Sequence, residues 1–386
     1  MRTQTNKNSL FIGGVLTAPR ARDLGLPFDG IPGLHNAITD VPGVEVGYTT
    51  IIEGDGPLEV GRGPIRTGVT AILPKGRQSS MKPIWAGTYS LNGNGEMTGT
   101  HWIHDGGYFT SPILITNTHA VGMVHHATVR WMIEQYRDQF TDHHYWALPV
   151  VAETYDGVLN DINGLHVKES HVRHALNSAS TGPLAEGNVG GGTGMICYEY
   201  KGGTGTSSRV VTLADTPYHL GVLVQANHGT RDWLTVLGVP VGKFLRDHLI
   251  HSQDQGSIIV VIGTDIPMLP HQLRRVAKRA AIGIGRNGTP GGNSSGDIFL
   301  AFSVANEMDM PRISENFLSM TFANDDVFDP IYDAVCQAVE EAVINAMVAA
   351  QSMTTVKPYG MTIAAINHDQ LVAVMRQHHR LATPNR

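Results

Sequence analysis

The sequence predicts a layered α+β fold, on three observations. Apolar runs at 69–73, 112–116, 147–151, 220–226, 257–263 and 298–304 are short and nearly uninterrupted, the pattern of strands covered on both faces. Helical periodicity appears at 120–136, 167–176, 272–281 and most clearly at 327–350. The two kinds of element do not alternate regularly, which points away from a doubly wound parallel sheet. In the last helix Ile331, Val335, Ala338, Val339 and Ala342 recur at three- and four-residue spacing and form one apolar face. Pro270 stands at the start of the 272–281 helix, where a missing N–H costs nothing. Two glycine-rich segments, 187–194 (GNVGGGTG) and 202–208 (GGTGTSS), read as loops too short to separate domains. With no internal repeat and no low-complexity linker, residues 1–386 are expected to form a single unit.

Composition narrows the function. A chain of 386 residues can bury a large core. A net charge of −6 with 16% charged residues gives no basic footprint, so nucleic acid and membrane surfaces are not expected partners. Two cysteines, Cys197 and Cys336, make no disulfide framework and no CxxC pair, which suits a reducing compartment, the cytoplasm. The apolar segment 10–18 weakly resembles a signal region and keeps the periplasm as the alternative.

The junction Gly256–Ser257 carries the chemistry. Ser257 opens the apolar strand, and the preceding 250–256 (IHSQDQG) is polar and turn-prone. A serine held at the head of a rigid strand can attack the unshielded carbonyl of the glycine before it. Cleavage would leave an N-terminal residue bearing both a hydroxyl nucleophile and an amine able to act as base. Alone, a Gly-Ser pair is more often an ordinary loop-to-strand boundary, so its neighbours decide.

Several familiar patterns fall away on context. Gly283–Gly288 matches GxGxxG but follows a basic helix instead of a strand. Gly292–Gly296 matches GxSxG but leads from loop into strand, the reverse of a nucleophile elbow. Ser79 to Lys82 fits SxxK with no KTG after it. Nineteen histidines form no HExxH and no Cys/His cluster, so no metal is expected. What survives beside Ser257 is Asn293–Asp297: at a strand entrance, Ser295 and Asp297 lie two apart and share a face.

The stretches Pro19–Thr50, Val150–Asp161 (VVAETYDGVLND), Gly187–Met195, Gly221–Gly229 (GVLVQANHG), Gly256–Asp265, Leu269–Arg286 and Ser294–Ser303 (SSGDIFLAFS) together resemble one family in its own order. This is the family of self-processing serine aminopeptidases that holds the L-aminopeptidase/D-amidase-esterases and the β-peptidyl aminopeptidases. The resemblance implies a four-layer αββα sandwich similar to that of N-terminal-nucleophile hydrolases. It implies cleavage between Gly256 and Ser257, giving an α chain 1–256 and a β chain 257–386 with Ser257 as nucleophile. Ser295 and Asp297 match the supporting serine and acid, although some members carry Glu where this chain has Asp297. Asn227 matches the oxyanion-stabilising asparagine, Tyr155 the tyrosine that assists it, and Glu153 the carboxylate that receives the substrate's free amine. The proton acceptor is then either the Ser257 amine or Ser295 backed by Asp297. The implied substrates are short peptides, amino-acid amides and esters, with an L-α, D-Ala or β-amino residue released. No metal or cofactor is implied, and the implied assembly is a homotetramer of αβ units. An acyltransferase of the ornithine acetyltransferase type, which uses Thr as nucleophile, and a processed non-enzymatic scaffold are the alternatives.

Overall fold

The computed structural model describes residues 11–12, 15–16, 18–77, 81–143, 145–250 and 256–382. Most of the apolar segment 10–18, Ser79 of the SxxK pattern and the connector 251–255 lie outside them. Ten strands build two sheets: β1 (Glu45–Glu53), β2 (Ile65–Leu73), β3 (Ile84–Ser90), β4 (Tyr108–Phe109), β5 (Ile113–Asn117), β6 (Val150–Thr154), β7 (Gly203–Leu213), β8 (Thr216–Asn227), β9 (Ser257–Thr264) and β10 (Gly296–Ser303). The larger sheet runs β7-β8-β9-β10-β3-β4 and the smaller β1-β2-β5-β6. Pairing is antiparallel except for β9 with β10 and β5 with β6.

Strand alternation explains the uninterrupted apolar runs. On β9, Ile258, Val260 and Ile262 face one core, while Ile259 and Val261 face another. The second core lies between the sheets, where Ile259, Val261, Leu300 and Phe302 meet Val46, Ile72, Ile113, Ile115, Val150 and Ala152. The first lies beneath helices α1 (Val121–Gln135), α2 (Glu169–Asn177), α3 (Pro270–Arg286) and α4 (Asp329–Val348), which cover the outer faces. Helices α3 and α4 pack on the larger sheet, α1 and α2 on the smaller. The result is the αββα sandwich.

Several elements differ from expectation for definite reasons. The strand expected at 147–151 begins at Val150, because Pro149 cannot donate to the ladder. Helix α3 extends past 281, so the GxGxxG pattern forms its last turn. The segment 202–208, expected as a loop, runs into β7. A Cβ at Gly205 would overlap the Ala342 carbonyl of α4, so glycine here admits a helix backbone against the sheet. Helix α4 itself is buried around most of its second half, not along one face. Its buried Glu341 pairs with Arg22 and Arg209 at 2.8 Å each. Neither β1 nor β3 was expected.

Candidate active site

The C-terminal ends of β3, β6 and β8 and the N-terminal ends of β9 and β10 lie at one edge of the sandwich. Ser257, the first residue of β9, pairs with Asn227 on β8 and with Gly296 on β10. It is 6% exposed. Its Oγ donates to the Gly256 carbonyl at 2.8 Å and accepts from the Gly296 amide at 3.2 Å. At Gly256 a Cβ would overlap the Asn227 carbonyl, so the residue before the serine has no room for a side chain.

Ser295 and Asp297 meet as period-two spacing requires: the Ser295 hydroxyl donates to Asp297 Oδ1 at 2.6 Å. Both are buried. Asn92 donates to the other carboxylate oxygen at 3.1 Å, and the Asp297 carbonyl accepts from the Leu91 amide at 2.9 Å. No hydrogen bond joins Ser295 Oγ to Ser257 Oγ among the described residues; the two strands connect through the Gly296 amide.

Asn227 ends β8 with its side-chain amide fixed from two sides. Its Nδ2 donates to the Tyr155 carbonyl at 3.0 Å, and its Oδ1 accepts from the Ile196 amide at 2.7 Å. Tyr155 thus meets Asn227 through its backbone carbonyl. Its side chain is 39% exposed and folds over Gly157, and among the described residues no hydrogen bond links its hydroxyl to Ser257.

Glu153 stands on β6 of the opposite sheet, 4% exposed. Burial raises its pKa, opposed by donors from the Thr118 hydroxyl and from the Glu96 amide at 2.9 Å. The segment 91–99 brings the sheets together: Thr98 donates to the Val151 carbonyl at 2.9 Å, while Asn94 donates to the Ser294 carbonyl at 2.7 Å. Gly95 lies between, with Glu153 Oε1 and Gly296 Cα 3.2 and 3.3 Å from where its Cβ would be. One glycine thus separates the carboxylate from the partner of the Ser257 strand head. Asn92, Thr118 and the Glu96 amide carried no sequence signal, since each acts through a contact set by tertiary pairing. Before the start of β6, Tyr145, Trp146 and Leu148 line an aromatic pocket together with Trp102. Among the described residues, no three His, Cys, Asp or Glu side chains converge as metal ligands, and no helix is long and apolar enough to cross a membrane.

A buried serine heading a central strand, amide donors on both flanking strands and a carboxylate across the cleft define a serine hydrolase on an αββα sandwich. The chain belongs to peptidase family S58, whose family model matches residues 36–359. It is 50% identical over 390 residues to the β-peptidyl aminopeptidase BapA of Sphingosinicella microcystinivorans, covering 97% of this chain and 96% of that one. The solved L-aminopeptidase D-Ala-esterase/amidase of Ochrobactrum anthropi, described as a prototype serine aminopeptidase and a variant of the Ntn hydrolase fold, matches with TM-score 0.90 and 58% identity over 94% of this chain and 100% of that one. A Burkholderia sp. β-aminopeptidase matches with TM-score 0.83 and 44% identity, covering 93% and 99%. The peptidase relatives favour a hydrolase over the acyltransferase and scaffold alternatives.

Proposed function

We propose that this chain is a self-cleaving serine aminopeptidase that removes N-terminal residues from short peptides, amides and esters. The placement of Glu153 carries the reading: a buried carboxylate one glycine from the Ser257 strand suits a substrate ammonium beside the scissile bond.

In maturation, the Ser257 oxygen adds to the Gly256 carbonyl carbon. The ester forms as the Gly256–Ser257 C–N bond breaks; the nitrogen keeps its own hydrogen, takes up the proton that the Ser257 hydroxyl loses, and becomes the new α-amine. Water then hydrolyses the ester, leaving chains 1–256 and 257–386. In turnover the same oxygen attacks the substrate carbonyl and its proton passes to the α-amine. Ser295 has its hydrogen committed to Asp297, so its lone pairs accept from the ammonium that forms. The Asn227 amide has one hydrogen on Tyr155 and offers the other to the oxyanion. The departing amine takes the proton, and water releases the acyl group from Ser257.

The compartment proposed is the cytoplasm, on two buried thiols, and the assembly a homotetramer, with exposed Phe317 and Phe322 among the apolar side chains available for contact. Ser257→Ala tests the core of the proposal. Denaturing mass spectrometry should find one intact chain, and aminoacyl p-nitroanilides should not be hydrolysed. An Ala variant cleaved at the same bond would show that Ser257 is not the processing nucleophile.

A further inference from the structure

Lys201 is fully buried in the short ladder that pairs Tyr200–Lys201 with Ile196–Cys197. Its Nζ donates to the carbonyls of Met195 and Gly202 at 2.9 Å each and of Gly192 at 3.4 Å. Among the described residues it has no carboxylate partner at ion-pair distance. Removing an ammonium from water costs several kcal/mol unless other groups compensate, so a buried lysine satisfied by carbonyls alone is an expensive way to tie a loop. Burial lowers its pKa to about 7. Three acceptors nevertheless match the three hydrogens of the charged form, whereas the neutral amine has only two.

One of those acceptors leads to the site. The Met195 carbonyl and the Ile196 N–H belong to the same peptide unit. That N–H donates to Asn227 Oδ1 at 2.7 Å, and Asn227 lies opposite Ser257 on the neighbouring strand. A cation on the carbonyl withdraws electron density and makes the N–H a stronger donor. The stronger donor polarises the Asn227 amide in turn, leaving its nitrogen end more positive. Such chains strengthen cooperatively in a low-dielectric interior.

We infer that Lys201 is a positioning residue for the oxyanion site, its ammonium polarising and fixing Asn227 through the Met195–Ile196 peptide. The inference rests on the reading of Asn227 given above. A structural role would stabilise the loop and act equally whether or not Asn227 is present; the relay acts only through Asn227.

The test is a double-mutant cycle, with kcat and KM for an aminoacyl p-nitroanilide normalised to the mature fraction by mass spectrometry. Lys201→Met should lower kcat about tenfold with KM within about twofold of wild type, and in the Asn227→Ala background change kcat less than about twofold. Where Lys201→Met does not accumulate folded, Lys201→Gln, which keeps a donor and removes the charge, carries the same comparison. Equal losses in both backgrounds, or an unchanged kcat with Asn227 present, would overturn the inference alone. An Asn227→Ala enzyme with wild-type kcat would overturn the oxyanion reading beneath it.

Discussion

Replacing Glu153 by Gln tests whether this carboxylate recognises a substrate amine. The exchange is nearly isosteric. The remaining side-chain oxygen can still accept from the Glu96 amide, and the new amide nitrogen can donate to the Thr118 hydroxyl that formerly donated to Oε2. What disappears is charge. A hydrogen bond to a charged group contributes roughly 1.5–3 kcal/mol. At about 1.4 kcal/mol per tenfold, kcat/KM for free-amine substrates should fall about 10- to 100-fold.

Stability should move the other way. Burial raises the Glu153 pKa, so the folded state holds its proton to higher pH than the unfolded chain. The contribution of this group is fully present below the unfolded pKa and is lost as pH rises through the folded value. At pH 8 the wild type therefore carries a penalty that the uncharged variant does not, and Glu153→Gln should melt no lower, and by this account higher. The Glu153 contribution to the acid limb of kcat/KM, which reports the free enzyme, should lie above the ordinary glutamate range in wild type and be lost in the variant, leaving the limb set by the Ser257 α-amine. The assay pairs aminoacyl p-nitroanilides with their N-acetyl counterparts from pH 5 to 9. Losses smaller than about threefold, or an unchanged preference for the free amine, would remove Glu153 from this role.

Asp156 is fully buried with its pKa raised to about 7 by desolvation, against donors that include Thr67 and Asn160. Its stabilising contribution is present below the unfolded value of 3.8 and lost as pH rises through about 7. Asp156→Asn should therefore gain stability relative to wild type by up to about 4 kcal/mol between pH 4 and 8; a pH-independent difference in denaturant midpoints would contradict this. Gly256→Ala should slow maturation so that intact chain persists on a denaturing gel, since the new methyl overlaps the Asn227 carbonyl; cleavage at the wild-type rate would mean that the strand head tolerates displacement. Gly205→Ala, driven against the Ala342 carbonyl, should lower the melting temperature, whereas Gly285→Ala, in open space on α3, should leave it equal or raise it with the roughly 0.5–1 kcal/mol gain of alanine in a helix. Reversed signs would mean that the helix rests on the sheet less tightly than described.

The parts of the site legible in the sequence were those fixed by short-range geometry. Ser295 and Asp297 lie two residues apart at a strand entrance, and period-two alternation alone puts their side chains together, as the 2.6 Å hydrogen bond shows. Ser257 at the head of β9 followed from the apolar run behind it. Glu153, Tyr155 and Asn227 were reached by resemblance, because nothing local distinguishes a carboxylate or amide at a strand end. The partners that set their chemistry were not legible: Thr118 and Glu96 reach Glu153 across 35 and 57 residues, and Asn92 reaches Asp297 across 205. The Tyr155 contact to Asn227 was equally illegible, since it runs through the backbone carbonyl while the ring lies beside Gly157.

The three long strands absent from the expected set share one cause. A Cβ on Gly47 of β1 would overlap the Ala175 carbonyl of α2; on Gly87 of β3, the Arg274 amide of α3; on Gly205 of β7, the Ala342 carbonyl of α4. At each, a helix backbone rests on the sheet where a side chain is missing. Sequence rules treat glycine within a strand pattern as a break or a bulge, which is sound when the strand faces solvent or other side chains. In this sandwich the same residues let three helices sit close to the sheets. That close seating has a consequence for the site. Gly87 anchors α3 on β3, the strand whose C-terminal end launches the 91–99 segment, and that segment positions Asn92 on Asp297 and Gly95 beside Glu153. The glycines that obscured the strands therefore also hold fixed the platform from which the two sheets are joined at Ser257.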